Sequence, residues 1–105
     1  MPIYHLRAVT VLVKLKPGAS SSQIAAWSNK GRAMVGQIPG LVRWQPGPPL
    51  EVTKHRCKGF GMAVVAILDK EEDIAVYTDH PAHREGHHLR EAFCDETVAY
   101  DLEFE

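Results

Sequence analysis

The run Phe60-Gly61-Met62-Ala63-Val64-Val65-Ala66-Ile67-Leu68 constrains this chain more than any other segment. It has the length and β-branched content of a strand, and it is apolar on both faces, so both faces must be covered. A chain of 105 residues has room for one domain and one core. Helices must then cover one face of the sheet that holds this strand. The other face must meet a second sheet or be polar.

The flanking segments supply those parts. From Arg7 to Lys16, Val9, Val11, Val13 and Leu15 alternate with Ala8, Thr10, Leu12 and Lys14, which predicts a first strand stopped by Pro17-Gly18. Ser20-Ser21-Ser22 offers N-caps for a helix whose buried face is Ile24, Trp27, Gly31, Met34 and Ile38 and which Pro39-Gly40 ends. Leu41 to Gln45 is a short second strand, followed by a turn at Pro46–Pro49 and an irregular stretch to about Lys58. The charges from Asp69 to Asp73 open a short helix running to about Tyr77. His80-Pro81 then puts a capping side chain before a first-turn proline, predicting a helix to about Cys94. Thr97 to Phe104 is the last strand.

The order is βαββαβ, the split βαβ arrangement of a ferredoxin-like α+β fold in a single domain over residues 1–105. In the last strand Val98, Tyr100, Leu102 and Phe104 share one face, and Thr97, Ala99 and Asp101 share the other. The latter row is expected opposite the helices, beside Gly61, Ala63, Val65 and Ile67 or beside Phe60, Met62, Val64 and Ala66. A second copy packing sheet on sheet would bury such rows, and their small residues would leave a cavity. Pairing also helps a chain this short to bury enough surface.

Charge and cysteine usage narrow the function. The net charge is −1 with no long basic run, which argues against nucleic acid or a membrane surface as partner. No apolar stretch approaches the ~18 residues that span a bilayer. Met1 to Arg7 lacks a signal-sequence core. Cys57 and Cys94 make no disulfide framework and read as free thiols in a reducing compartment, so the expected location is cytoplasmic.

Histidine is the outlying residue: six in the chain, four of them between His80 and His88. His83 and His87 lie one helical turn apart on one face, where they could share a metal with His80 or act as acid and base near neutral pH. His88 and Arg84 fit a solvated helix face, and His80 fits a cap. His83 stands out because Tyr77 precedes the turn and Asp101 lies on the last strand. A carboxylate facing an apolar cavity needs a partner, and an imidazole held by it gains basicity suited to proton abstraction. Tyr77 could donate a hydrogen bond to a carbonyl as negative charge builds on it.

The segment Tyr77-Thr78-Asp79-His80-Pro81-Ala82-His83 resembles the Tyr-x-x-His-Pro-x-His signature of the stress-responsive A/B barrel domain family. Lys14-Leu15-Lys16-Pro17-Gly18, Ile38-Pro39-Gly40 and Val98-Ala99-Tyr100-Asp101 support the resemblance over nearly the whole chain. It implies a homodimer whose sheets close into an α+β barrel, with a small-molecule cavity in each subunit between sheet and helices. By similarity to a polyketide cyclase of the family, which uses no metal or organic cofactor, His83 would be the general base, Asp101 its orienting carboxylate and Tyr77 a substrate contact. The same carry-over lines the cavity with Val9, Val11, Val13, Trp27, Gly31, Val64, Ala66, Ile74, Gly86 and Ala99. Apart from the resemblance, His87 is expected to bind substrate and to assist Tyr77 in stabilising an enolate.

The chain departs from that pattern at three places. Val9 stands where the cyclase has a histidine, and His5 lies four residues earlier with the same strand parity, near the cavity mouth. Gly31 replaces an aromatic residue, which would widen the pocket, and Gly86-His87-His88 replaces apolar or acidic positions. The expected function is a cofactor-independent cyclase or lyase acting on a β-dicarbonyl-type natural-product precursor. The alternatives are a non-catalytic stress or small-ligand-binding barrel and a metal site on His80, His83 and His87.

Overall fold

In the computed structural model, which describes residues 5–105, the doubly apolar run becomes β3 (Met62–Leu68), inside the sheet between β2 (Leu41–Gly47) and β1 (Leu6–Leu15). Met1–Tyr4, the start of the stretch read for a signal sequence, lie outside the described residues. Strand β4 (Cys94–Phe104) pairs with the other side of β1, so the sheet order is β2-β3-β1-β4 with every neighbour antiparallel. Helices α1 (Ser21–Arg32), α2 (Glu72–Asp79) and α3 (Pro81–Glu91) cover one face. This is the expected ferredoxin-like α+β architecture.

The register decides what meets the helices. Val9 pairs with Ala66 and Asp101, Val11 with Val64 and Ala99, and Val13 with Met62 and Thr97. Paired residues point the same way, so this whole row belongs to one face. Val13, Met62, Val64 and Ala66 are buried in one core with Trp27 of α1 and Phe93 after α3. Thr97, Ala99 and Asp101 therefore lie on the helix-covered face, not opposite it as expected. The alternate row, with Leu12, Val65, Val98, Tyr100 and Leu102, is the one left in solvent, and Tyr100 is 68% exposed.

Element ends differ from the sequence reading where turns imitate regular spacing. Helix α1 stops at Arg32, six residues before Ile38, yet Met34 and Ile38 are both buried. A tight turn carries them inward: Met34 N–H donates to the Gly31 carbonyl, Ile38 N–H to the Met34 carbonyl, and Gly36 has φ 94°. At the start, Ser20 and Gln23 form a reciprocal capping box. Strand β2 runs through Pro46 to Gly47, which an edge strand tolerates because one side of its backbone needs no partner. The irregular stretch contains a 3₁₀ helix over Glu51–Arg56, and β3 begins at Met62 rather than Phe60. Helix α2 extends to Asp79, while α3 ends at Glu91 and leaves β4 to start at Cys94.

Phe93 joins the layers. It is fully buried and meets Trp27 edge-on with ring centroids 5.7 Å apart, while its carbonyl accepts from Lys16 N–H at 2.8 Å. Lys30 of α1 and Glu85 of α3 form an ion pair across the outer surface, where such pairs add little. Cys57 and Cys94 are free, half-buried thiols. Among the described residues no helix is long and apolar enough to cross a membrane.

Truncating a large, enclosed aromatic leaves a void that surrounding side chains only partly fill. Phe93→Ala is expected to lower unfolding free energy by about 3–5 kcal/mol, read as a shifted urea midpoint.

Candidate active site

A cavity of about 330 Å³ opens between the sheet and the helices. Its apolar wall comes from Val9, Val11, Val64 and Ala99 of the sheet with Trp27, Trp44 and Ile74. Its polar groups are Tyr77, Thr78, His83, His87 and Arg90 on the helical side and Thr97 and Asp101 on β4. The short loop between α2 and α3 creates this polar wall. Pro81 has no N–H, and His80 is extended with ψ 138°, so the helix breaks there. His80 Nδ1 accepts from Ala82 N–H at 3.0 Å, the cap expected of it. That diverts the donor that would have met the Thr78 carbonyl in a continuous helix.

His83 takes the vacancy. Its Nδ1 lies 3.1 Å from the Thr78 carbonyl, and a carbonyl only accepts, so Nδ1 carries the hydrogen and Nε2 keeps the lone pair. Burial pushes the His83 pKa below its ordinary value; the Thr78 carbonyl opposes this, and His87 and Arg90 add to it. The result is a neutral imidazole near pH 7 with a basic nitrogen.

Tyr77 lies against it, ring centroids 4.5 Å apart. The Trp44 indole N–H donates to the Tyr77 hydroxyl at 3.2 Å. The phenol therefore has its acceptor role filled and its own hydrogen available. Burial raises the Tyr77 pKa, so the group stays a donor. Trp44 reaches Tyr77 by passing over Gly31, where a Cβ would overlap the indole ring. Gly86 is the reverse case: it is buried, yet a Cβ there would meet nothing within 4 Å, because the space beside it is the cavity.

The sequence profile of the stress responsive A/B barrel domain matches residues 8–104. The chain belongs to that family. No curated protein sequence matches it. Solved structures of other proteins show the same fold as this A/B barrel domain. One is a dimeric ferredoxin-like protein of unknown function from Thermobifida fusca, 23% identical, covering 96% of this chain and 92% of its own with TM-score 0.79. Another is a dimeric ferredoxin-like protein from Jannaschia, 16% identical over 94% and 99% of the two chains with TM-score 0.83. A third is the hydroxynitrile lyase of Passiflora edulis, 19% identical over 99% and 96% with TM-score 0.82.

Several expectations for the A/B barrel site change. His83 is held by Thr78, and no hydrogen bond or ion pair joins it to Asp101 among the described residues. Asp101 lines the cavity but is exposed, since β4 is an edge strand and water solvates the carboxylate. Val13 and Ala66 are core residues outside the lining. Ala66 sits in register between the larger Val9 and Trp44 and is fully buried. The room gained at Gly31 is taken by Trp44, so the pocket is reshaped rather than widened. His5 does not line the cavity; its ring lies 3.6 Å from Glu103, which also pairs with Arg7 at 2.7 Å.

Arg90, Trp44, Met34, Thr78 and Thr97 line the cavity without having been anticipated. Helical spacing could have found Arg90, three residues after His87 and seven after His83. His80, His83 and His87 do not converge, and among the described residues no three His, Cys, Asp or Glu side chains are placed to hold a metal ion.

A depressed histidine pKa has a testable sign. The folded domain binds fewer protons than the unfolded chain just below the ordinary value of 6.5, so this contribution to stability is full above it. It is lost as pH falls through the folded-state pKa. In NMR titrations His83 and His87 are expected to show midpoints below those of the same rings in urea.

Proposed function

We propose that the domain is an enzyme that removes a weakly acidic proton from a small carbonyl-containing substrate. The observation that carries this is the pairing of the His83 base with the Tyr77 donor, rings in contact, on one wall of an open cavity. His83 Nε2 takes a proton from a carbon beside a carbonyl, or from a hydroxyl. From carbon, the C–H electron pair moves onto the carbonyl oxygen as an enolate, to which the Tyr77 O–H donates; from a cyanohydrin hydroxyl, the O–H pair forms the carbonyl as the carbon–cyanide bond breaks and cyanide leaves to take up the proton. The imidazolium is stabilised through Nδ1–H by the Thr78 carbonyl, with the Asp101 carboxylate lining the same pocket. It can then return the proton to the product oxygen or leaving group.

Aldol closure of a β-dicarbonyl chain and lyase cleavage both begin with that step. The cyclase resemblance supports the first, and the fold shared with a hydroxynitrile lyase is compatible with the second. A purely structural barrel would gain by filling this space with a side chain, whereas Gly86 keeps it open at the cost of helix stability.

Across a panel of linear polyketide, β-ketoacid and cyanohydrin substrates, wild type is expected to convert at least one. His83→Ala is expected to lose ~10²–10⁴-fold in rate and Tyr77→Phe ~10²–10³-fold, with EDTA without effect. Gly86→Leu is expected to abolish conversion by filling the cavity while keeping or raising the urea midpoint. Conversion that survives His83→Ala, or is lost to EDTA, overturns the reading.

The solvent-facing row of Leu12, Val65, Val98, Tyr100 and Leu102 supports assembly as a homodimer through this sheet face. Relatives of the same fold are described as dimeric. Sedimentation equilibrium is expected to give twice the chain mass for wild type and a shift toward monomer for Tyr100→Glu. A monomeric wild type would count against it.

A further inference from the structure

Arg90 is the cavity's least explained feature. It lies on the His83–Gly86–His87 face of α3, one turn beyond His87. One guanidinium nitrogen donates to His87 Nε2 at 2.6 Å. This contact fixes the direction of the side chain and makes His87 an acceptor, and burial together with Arg90 keeps the His87 pKa low. Guanidinium has five N–H donors, so most stay available. Among the described residues none of the ion pairs includes Arg90. A cation lines a partly apolar pocket with only a neutral ring as partner, an arrangement that gains by admitting an anion.

We propose that Arg90 is the anion anchor of this pocket and that the substrate is a small carboxylic acid. Its carboxylate pairs with the Arg90 guanidinium, and its body lies along Val9, Val11 and Trp27 toward His83. The inference rests on the proposed function only in treating this cavity as the substrate site. Side chains on a helix lean toward its N-terminus, so the guanidinium reaches back toward His87. The carboxylate and the reacting atom are then separated by roughly 5–10 Å, one to two helical turns. Other charged or titratable groups facing the space are His83, His87 and Tyr77, all held neutral, and Asp101 on the sheet side. Asp101 repels an acid from β4 and directs its charged end toward α3.

Both tryptophans of the chain line the cavity, so binding is read by intrinsic fluorescence without a label. The probes are octanoate and octanamide, equal in length, unreactive and different in charge. Wild type is expected to bind octanoate at least tenfold more tightly than octanamide at low salt. Arg90→Gln is expected to bring the ratio within twofold while leaving octanamide affinity unchanged. Arg90→Lys is expected to restore part of the preference, and circular dichroism checks that both variants are folded. Gly86→Leu is expected to lose both ligands, which places them in this cavity. No preference for octanoate in wild type, or a preference that survives Arg90→Gln, overturns the proposal. The same ratio measured in His83→Ala separates the two readings: an anchor without a catalyst keeps its preference there even if no substrate is ever turned over.

Discussion

Proline at position 81 has no N–H to give, and the polar wall of the cavity follows from that. The chain cannot run α2 into α3 as one helix, so His80 becomes extended and caps the new helix with its own ring. The Thr78 carbonyl is left without its helical donor, and His83 supplies one from its side chain. A backbone break thereby selects a tautomer. The basic nitrogen of His83 is determined by the hydrogen bond made on the far side of its ring, and that bond exists because a proline precedes it by two residues.

The donor side of the pocket has a different origin. Tyr77 is oriented from the sheet, by an indole on β2 that crosses α1 at its one glycine near the helix end. The Trp27–Trp44 contact, centroids 5.2 Å apart and edge-on, keeps that indole in place and continues through Trp27 to Phe93. The aromatic core and the phenol are one packed unit. Base and donor are thus positioned by independent means, the first by local backbone chemistry and the second by long-range packing.

Much of this was legible in the sequence because it depends on local rules. Alternation in β1, the serine caps of α1, the His80-Pro81 break and the Tyr77–His83 motif each specify structure within a few residues. What depended on pairing was not legible. The row containing Asp101 could be assigned to a face only once Val9 was known to lie opposite it, since the more apolar row of Val98, Tyr100 and Leu102 is the one that faces away from the helices. Met34 and Ile38 kept helical spacing inside a turn, so the end of α1 was hidden. The space at Gly31 looked empty along the chain because the side chain that fills it arrives from another strand. Carry-over from a relative failed at Val13 and Ala66 for a similar reason: depth below a cavity floor depends on neighbours, not on parity.

Gly86 gives the fold an unusual freedom. A Cβ added there would meet no protein atom within 4 Å, so a side chain begins by entering the cavity and not the core. The proton-handling groups lie on other residues with their own supports. The size of the cavity and the His83–Tyr77 pair are therefore encoded at separate positions, and a single codon can retune which molecules fit while that pair keeps its geometry. A lineage built on this scaffold could diversify the molecules its cavity admits by point mutation, with the polar groups that line it unchanged.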